Sequence, residues 1–135
     1  MKKELYDNDT NCCVLLCTCF VFRIDYELVY ELFKMVGRRR GDGCTTLQCK
    51  KVFNILCMIN DEKVTYHRSR STLKGFVENH KTGTYLINQR AHMSCLKDGI
   101  LIDTYITSDT PFLNDYVMND DSDFEIVGYW KHEKN

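Results

Sequence analysis

The chain has 135 residues, of which 44% are apolar, 12% aromatic and 27% charged, and it carries a formal net charge of −1. That length suits one domain with its own hydrophobic core, so neither a metal nor a disulfide staple is needed for folding. The apolar and aromatic content argues against disorder, and the balanced charge argues against a global field aimed at nucleic acid or an anionic membrane.

In chain order, residues 1–11 are a polar lead-in. Cys13 to Phe22 is apolar on all sides and predicts a short central helix. The apolar run is too short to span a bilayer. It is also not read as a signal peptide, because Glu4, Asp7 and Asp9 precede it alongside Lys2 and Lys3 and no small-x-small cleavage site follows. Asp25 is placed to N-cap a second helix with Leu28, Val29, Leu32, Phe33 and Val36 at helical spacing and Gly37 as its stop. A third helix is expected from about Thr46 to Met58, with Leu47, Val52, Phe53, Leu56 and Ile59 on its apolar side, and a short one from Thr72 through Phe76 and Val77.

The pattern then changes to strands. Gly83–Ile87 and Ala91–Leu96 read as two, the Asp98-Gly99 hairpin signal follows, and Ile100–Ile106 reads as the returning strand. Thr107–Asp123 is polar and holds Pro111, and Phe124–Trp130 is expected as the last strand. Helices first and an antiparallel sheet afterwards give an α+β class, with residues 1–135 forming a single domain.

Eight cysteines are the unusual feature: Cys12, Cys13, Cys17, Cys19, Cys44, Cys49, Cys57 and Cys95. No pair has C-x-x-C spacing, and His67, His80, His92 and His132 form no matching couplet, so no metal site is expected. Without an export signal, most of them read as small buried side chains in a reducing cytoplasm. Gly41-Asp42-Gly43 lacks the further glycine and the preceding strand of a phosphate loop, so no cofactor is expected either.

A nucleophilic cysteine needs a lowered thiol pKa, a base in reach and donors for the developing oxyanion. Cys13 stands where the polar lead-in meets the first helix, whose N-terminus favours a thiolate. His92 opens a strand before the tight hairpin and Asp103 lies on the return, so the two are expected as neighbours across the ladder. Each also has a plainer reading: core packing for Cys13, a backbone hydrogen bond for His92 and a strand end for Asp103.

The stretch Asn11-Cys12-Cys13-Val14, followed by Tyr26–Phe33 and Gly37-Arg38-Arg39-Arg40-Gly41, resembles small bacteriophage proteins related to papain-like cysteine peptidases. Thr72-Leu73, Phe76, Gly83–Ile87, His92, Asp98-Gly99-Ile100 and Asp103-Thr104 extend that resemblance over roughly residues 11–105. It implies a papain-like α+β fold, with N-terminal helices packed on a C-terminal antiparallel sheet and the helix bearing Cys13 set against strands carrying His92 and Asp103. Its register assigns the nucleophile to Cys13, with the adjacent Cys12 as the alternative. Papain-like enzymes carry a glutamine or asparagine shortly before the nucleophile as an oxyanion donor; no glutamine precedes Cys13, so Asn8 and Asn11 are the candidates.

The implied activity is a cysteine-dependent amide or isopeptide hydrolase or acyl transferase. It would be phage-encoded, cytoplasmic in the host cell, and act on a host protein or peptide. The alternative is a catalytically inactive papain-like protein that binds a host protein to inhibit or redirect it. Cell-wall amidases of the NlpC/P60 type place Ser-Gly after the nucleophile, and Val14-Leu15 here departs from that. A nucleic-acid partner would use Arg38–Arg40, Lys50-Lys51, Arg68 and Arg70, but charge runs are usually solvated faces, and no membrane contact is expected.

Overall fold

The computed structural model describes residues 13–89, 92–102 and 125–135. Asn8, Asn11, Cys12, Ala91, Asp103, the polar segment Thr107–Asp123 and Phe124 lie outside the described residues. The elements run α1 (Cys13–Phe22), α2 (Tyr26–Met35), α3 (Thr46–Asn60), β1 (Glu62–Arg68), α4 (Leu73–Asn79), β2 (Thr84–Gln89), β3 (His92–Lys97), β4 (Ile100–Ile102) and β5 (Ile126–Lys134). The fold is α+β, and its described strands form one antiparallel sheet in the order β1-β5-β2-β3-β4.

Local chemistry sets most of the boundaries. Thr45 and Gln48 form a reciprocal capping box at the start of α3, with bonds of 3.1 and 2.9 Å, and Asp61 ends that helix in the left-handed region at φ 54°. Thr72 caps α4 by accepting from the Gly75 N–H at 3.0 Å. Asp25 holds the N-cap position of α2 in extended backbone, but its side chain makes no cap bond. Between β3 and β4, Asp98 and Gly99 both have positive φ, 48° and 83°, as a two-residue turn matched to strand twist requires. The Asp98 carboxylate accepts from the Gly83 N–H at 3.0 Å and ties this turn to the start of β2.

Two apolar layers cover the sheet. On one face α1, α2 and α3 bury Leu15, Phe22, Val29, Phe33, Val52 and Phe53 against Leu86, Met93, Cys95 and Trp130. On the other, Leu73, Phe76 and Val77 of α4 meet Tyr85, Ile87, Leu96, Leu101 and Ile126. The strand period explains the division: along β2, Leu86 faces the first layer while Tyr85 and Ile87 face the second. Each large side chain fully buried this way contributes about 1.5–3 kcal/mol. The Phe53 ring meets Trp130 edge-on at 5.2 Å, joining α3 to β5 inside the sheet.

Several expectations need correction. β1 lies where no strand is expected, because only Val64 and Tyr66 alternate with polar neighbours in Glu62–Arg68, a short signal among charged residues; it is an edge strand held by seven register pairs to β5. β5 runs on to Lys134, past the expected end at Trp130, because β1 pairs with its polar tail. Leu28, Leu47 and Ile59 are exposed, and the buried side of α3 is Cys49, Val52, Phe53 and Leu56. Among the described residues no helix is long and apolar enough to cross a membrane.

Two features make stability predictions. Tyr66 covers Gly128, and a Cβ there would overlap the Tyr66 hydroxyl and lie 2.7 Å from the His67 carbonyl oxygen. Backbone cannot yield as a flexible side chain can, so Gly128→Ala should lower unfolding free energy by about 2 kcal/mol in denaturant titration. Glu62 and His132, whose side chains are 4% and 7% exposed, sit 3.1 Å apart beneath the Phe22 ring. His132→Leu leaves a buried carboxylate without this partner and should cost about 3 kcal/mol, whereas Glu62→Leu with His132→Leu should recover most of that loss.

Candidate active site

α1 is apolar all round and mostly buried: Val14, Leu15, Cys17, Thr18, Val21 and Phe22 are enclosed, Phe20 is exposed, and the Thr18 hydroxyl is satisfied by the Val14 carbonyl at 2.7 Å. It lies against β3 and β2. One turn into the helix, the Cys17 thiol donates to the Met93 carbonyl at 3.5 Å across 76 residues of sequence. Met93 is 1% exposed, so its peptide is a rigid seat for the helix.

That seating brings Cys13, at the first turn, to His92, the first residue of β3. The Cys13 side chain is hydrogen-bonded to the His92 ring. Burial is the largest single influence on this thiol and pushes its pKa up. The bond to His92, the charge of that ring and the backbone N–H groups of Met93 and Val14 together more than offset it, so the thiol titrates below its ordinary range. Two other thiols behave in the opposite way. Burial pushes Cys49 up, and burial together with the Glu62 carboxylate pushes Cys57 up to about 11. Seven cysteines are free among the described residues, and of these Cys13 is held below the ordinary thiol range while Cys49 and Cys57 are held above it.

Of the sequence-predicted residues, Cys13 and His92 are brought together. Asp103, Asn8, Asn11 and the alternative nucleophile Cys12 lie outside the described residues. The arginine run is engaged locally: Arg38 is 5% exposed with its Nε donating to the Asp42 carbonyl at 2.9 Å, Arg39 is 3.7 Å from the Asp42 carboxylate, and Arg40 lies over the Tyr30 ring at 6.0 Å. Sequence reading misses Gln89 and Ser94. Both are buried beside His92, and Gln89 Nε2 donates to Ser94 Oγ at 2.7 Å. Their signal is present as two polar side chains at inward positions of otherwise apolar strands. Among the described residues no three histidine, cysteine or acidic side chains converge as a metal site would require.

The arrangement can hold a thiolate next to an imidazole at a helix N-terminus, which is what attack on an electrophilic carbon requires. At neutral pH, iodoacetamide should therefore modify Cys13 ahead of Cys49 and Cys57, as peptide mass spectrometry would show. In His92→Ala, burial is left with less to oppose it, so the Cys13 pKa rises. Alkylation at pH 7 should then slow at least about tenfold, since the thiolate fraction falls about tenfold for every pH unit by which the thiol pKa climbs. Equal labelling of wild type and variant would contradict this arrangement. No family model, curated protein or solved structure matches this chain.

Proposed function

We propose that this chain is a cysteine-dependent acyl-transfer enzyme of papain-like type, acting on amide or isopeptide bonds of a host protein or peptide. The observation that carries the reading is the Cys13–His92 hydrogen bond, with the thiol held below its ordinary range in spite of burial. A thiol pKa lowered against desolvation marks a group arranged to be ionised, which a packing cysteine is not. The resemblance of residues 11–105 to small phage papain-like proteins is the second support. It also supplies the proposed cytoplasmic setting, with which free thiols are in keeping.

In this mechanism Cys13 Sγ attacks the substrate carbonyl carbon and the carbonyl oxygen takes the negative charge. The Cys13 N–H, with Asn11 or Asn8, is the proposed donor to that oxygen. The His92 imidazolium protonates the departing amine as the carbon–nitrogen bond breaks, leaving a thioester on Cys13. Neutral His92 then removes a proton from water, or from an acceptor amine, which attacks the thioester and frees the thiol. Asp103 is the proposed partner of the second ring nitrogen, fixing its tautomer.

The test is covalent capture by a peptidyl vinyl sulfone followed by release of product from a fluorogenic peptide-amide library. Wild type should be captured at Cys13 and should turn over part of the library; Cys13→Ala should do neither. His92→Ala should lose at least about a hundredfold in turnover, the lower range for a general acid–base. A wild-type Cys13 that resists both the vinyl sulfone and iodoacetamide would overturn the enzyme reading and leave the inactive binding protein in its place.

A further inference from the structure

β1 and β4 are the two edges of the described sheet. β4 has three residues, whereas β1 has seven, pairs with β5 through all of them without a register shift and contains no proline. Edge strands are commonly protected by being short, bulged or broken by proline, or by charge; β1 has charge alone. The direction of its peptides follows from one bond. The Ser69 N–H donates to the Val127 carbonyl at 3.2 Å, so residues two, four and six before it also turn their peptides toward β5. Val64, Tyr66 and Arg68 therefore present their N–H and C=O groups outward, and among the described residues nothing pairs with them.

A groove of about 250 Å³ runs beside this open rim, between α3 and β1, lined by Lys50, Phe53, Asn54, Val64, Tyr66 and Trp130. Only Asp61 separates the helix from the strand, so the two run in opposite directions. Lys50, ten residues before the end of α3, is about 15 Å along the helix, and Tyr66 is about 13 Å along β1, which sets them level. Tyr66 packs on Trp130 with ring centroids 4.6 Å apart and is itself exposed, so the groove has a fixed aromatic wall. Its charge is one-sided. Lys50 and Arg68 are exposed and form no ion pair with a described residue, while Glu62, the acid on this face of β1, is buried against His132. A second copy of the chain would bring Lys50 and Arg68 against their own kind, whereas an acidic strand would be attracted. Single-stranded nucleic acid would match the two cations but would leave the row of outward peptide groups unused.

We propose that the β1 edge and its groove are a docking site for an extended acidic segment of a partner protein, which adds as a strand beside β1. Its peptide groups pair with those of Val64, Tyr66 and Arg68. Alternate apolar side chains enter the groove over Tyr66 and Trp130, and its carboxylates meet Lys50 and Arg68. Backbone pairing then supplies the affinity, while the groove and its two cations select the sequence. The site is separate from the Cys13–His92 pair, since β5 and β2 lie between β1 and β3, and it does not depend on that pair being reactive.

The experiment titrates the full chain with a short acetylated peptide in which valine and phenylalanine alternate with glutamate. Trp130, the chain's single tryptophan, lines the groove and reports binding by its emission. Saturable binding is expected, weakened at least about tenfold by Lys50→Glu with Arg68→Glu and by replacing the peptide's glutamates with lysines. Two further peptides are N-methylated at the odd or at the even nitrogens. One should lose at least about tenfold, because its methyl groups block the ladder, and the other, whose methyl groups face solvent, should bind as before. Val64→Pro removes an outward N–H without touching the bonds to β5 and should weaken binding in the same way. Should that variant fail to fold, the methylated peptides test the same rim on the wild-type chain. Cys13→Ala should bind like wild type. Methylated peptides that bind alike overturn the proposal, as does a lysine peptide that binds as well as the glutamate one. No saturable change in emission up to about 1 mM peptide overturns it too. Tighter binding of oligothymidylate than of the acidic peptide would assign the surface to nucleic acid instead. A concentration-dependent dimer that Val64→Pro abolishes would assign it to a second copy, and either result overturns the proposal.

Discussion

The site depends on how α1 is seated on β3. Cys13 and Cys17 are one turn apart on the same helix face, and both meet the Met93 backbone: Cys17 donates to its carbonyl and Cys13 receives its N–H. A strand offers these groups at fixed spacing, so the helix is positioned both along and around its own axis. Once it is, Cys13 has no choice of neighbour but His92, the residue before Met93. The nucleophile and its base are thus matched through the backbone of a single buried residue, Met93.

The rest of the molecule holds this contact in place from both sides. α2 and α3 enclose α1 over one face of the sheet, while α4 covers the other and packs on β2, β3 and β4 from behind. At the far end of α1, Phe22 packs edge-on against His132, and Arg23 reaches to 3.9 Å from the buried Glu62 carboxylate. The two ends of the helix are therefore fixed by opposite chemistry: thiols on a backbone peptide at the N-terminus, and an aromatic and ionic contact with β1 and β5 at the C-terminus. A short helix of ten residues, marginal by itself, gains its order from these tertiary contacts.

Much of this could be read directly from residues. The all-round apolar run 13–22, the Asp98-Gly99 turn and the Thr72 cap each act through neighbours only a few positions away, so local pattern suffices for them. β1 could not be read in this way. An edge strand keeps one rim and much of one face in water, so Lys63, Thr65, His67 and Arg68 are polar, and the two alternating positions Val64 and Tyr66 are too few to mark a strand without its partner β5. The same holds for Leu47 and Ile59 of α3: both satisfy helical spacing, but the width of the layer beneath them admits only Cys49, Val52, Phe53 and Leu56. Glu62 and His132 look like ordinary surface residues in sequence and are buried only because two strand ends meet under Phe22.

Sequence alone determined the α+β class, the order of every element except β1, and a short set of residues chemically able to act, with Cys13 set apart by its place at the start of a buried helix. It could not decide whether Cys13 would be activated, since eight cysteines and four histidines allow many pairings and a thiol pKa depends on what lies within a few ångströms. Tertiary structure decided that Cys13 meets His92, that Cys49 and Cys57 are pushed the other way by their surroundings, and that Gln89 pairs with His92 across the ladder while its side chain bonds to Ser94. The physical reason is the range of the interactions. Helix caps and turns are settled within four residues, whereas hydrogen bonding and desolvation at a thiol are settled by atoms that the chain brings together only when it folds.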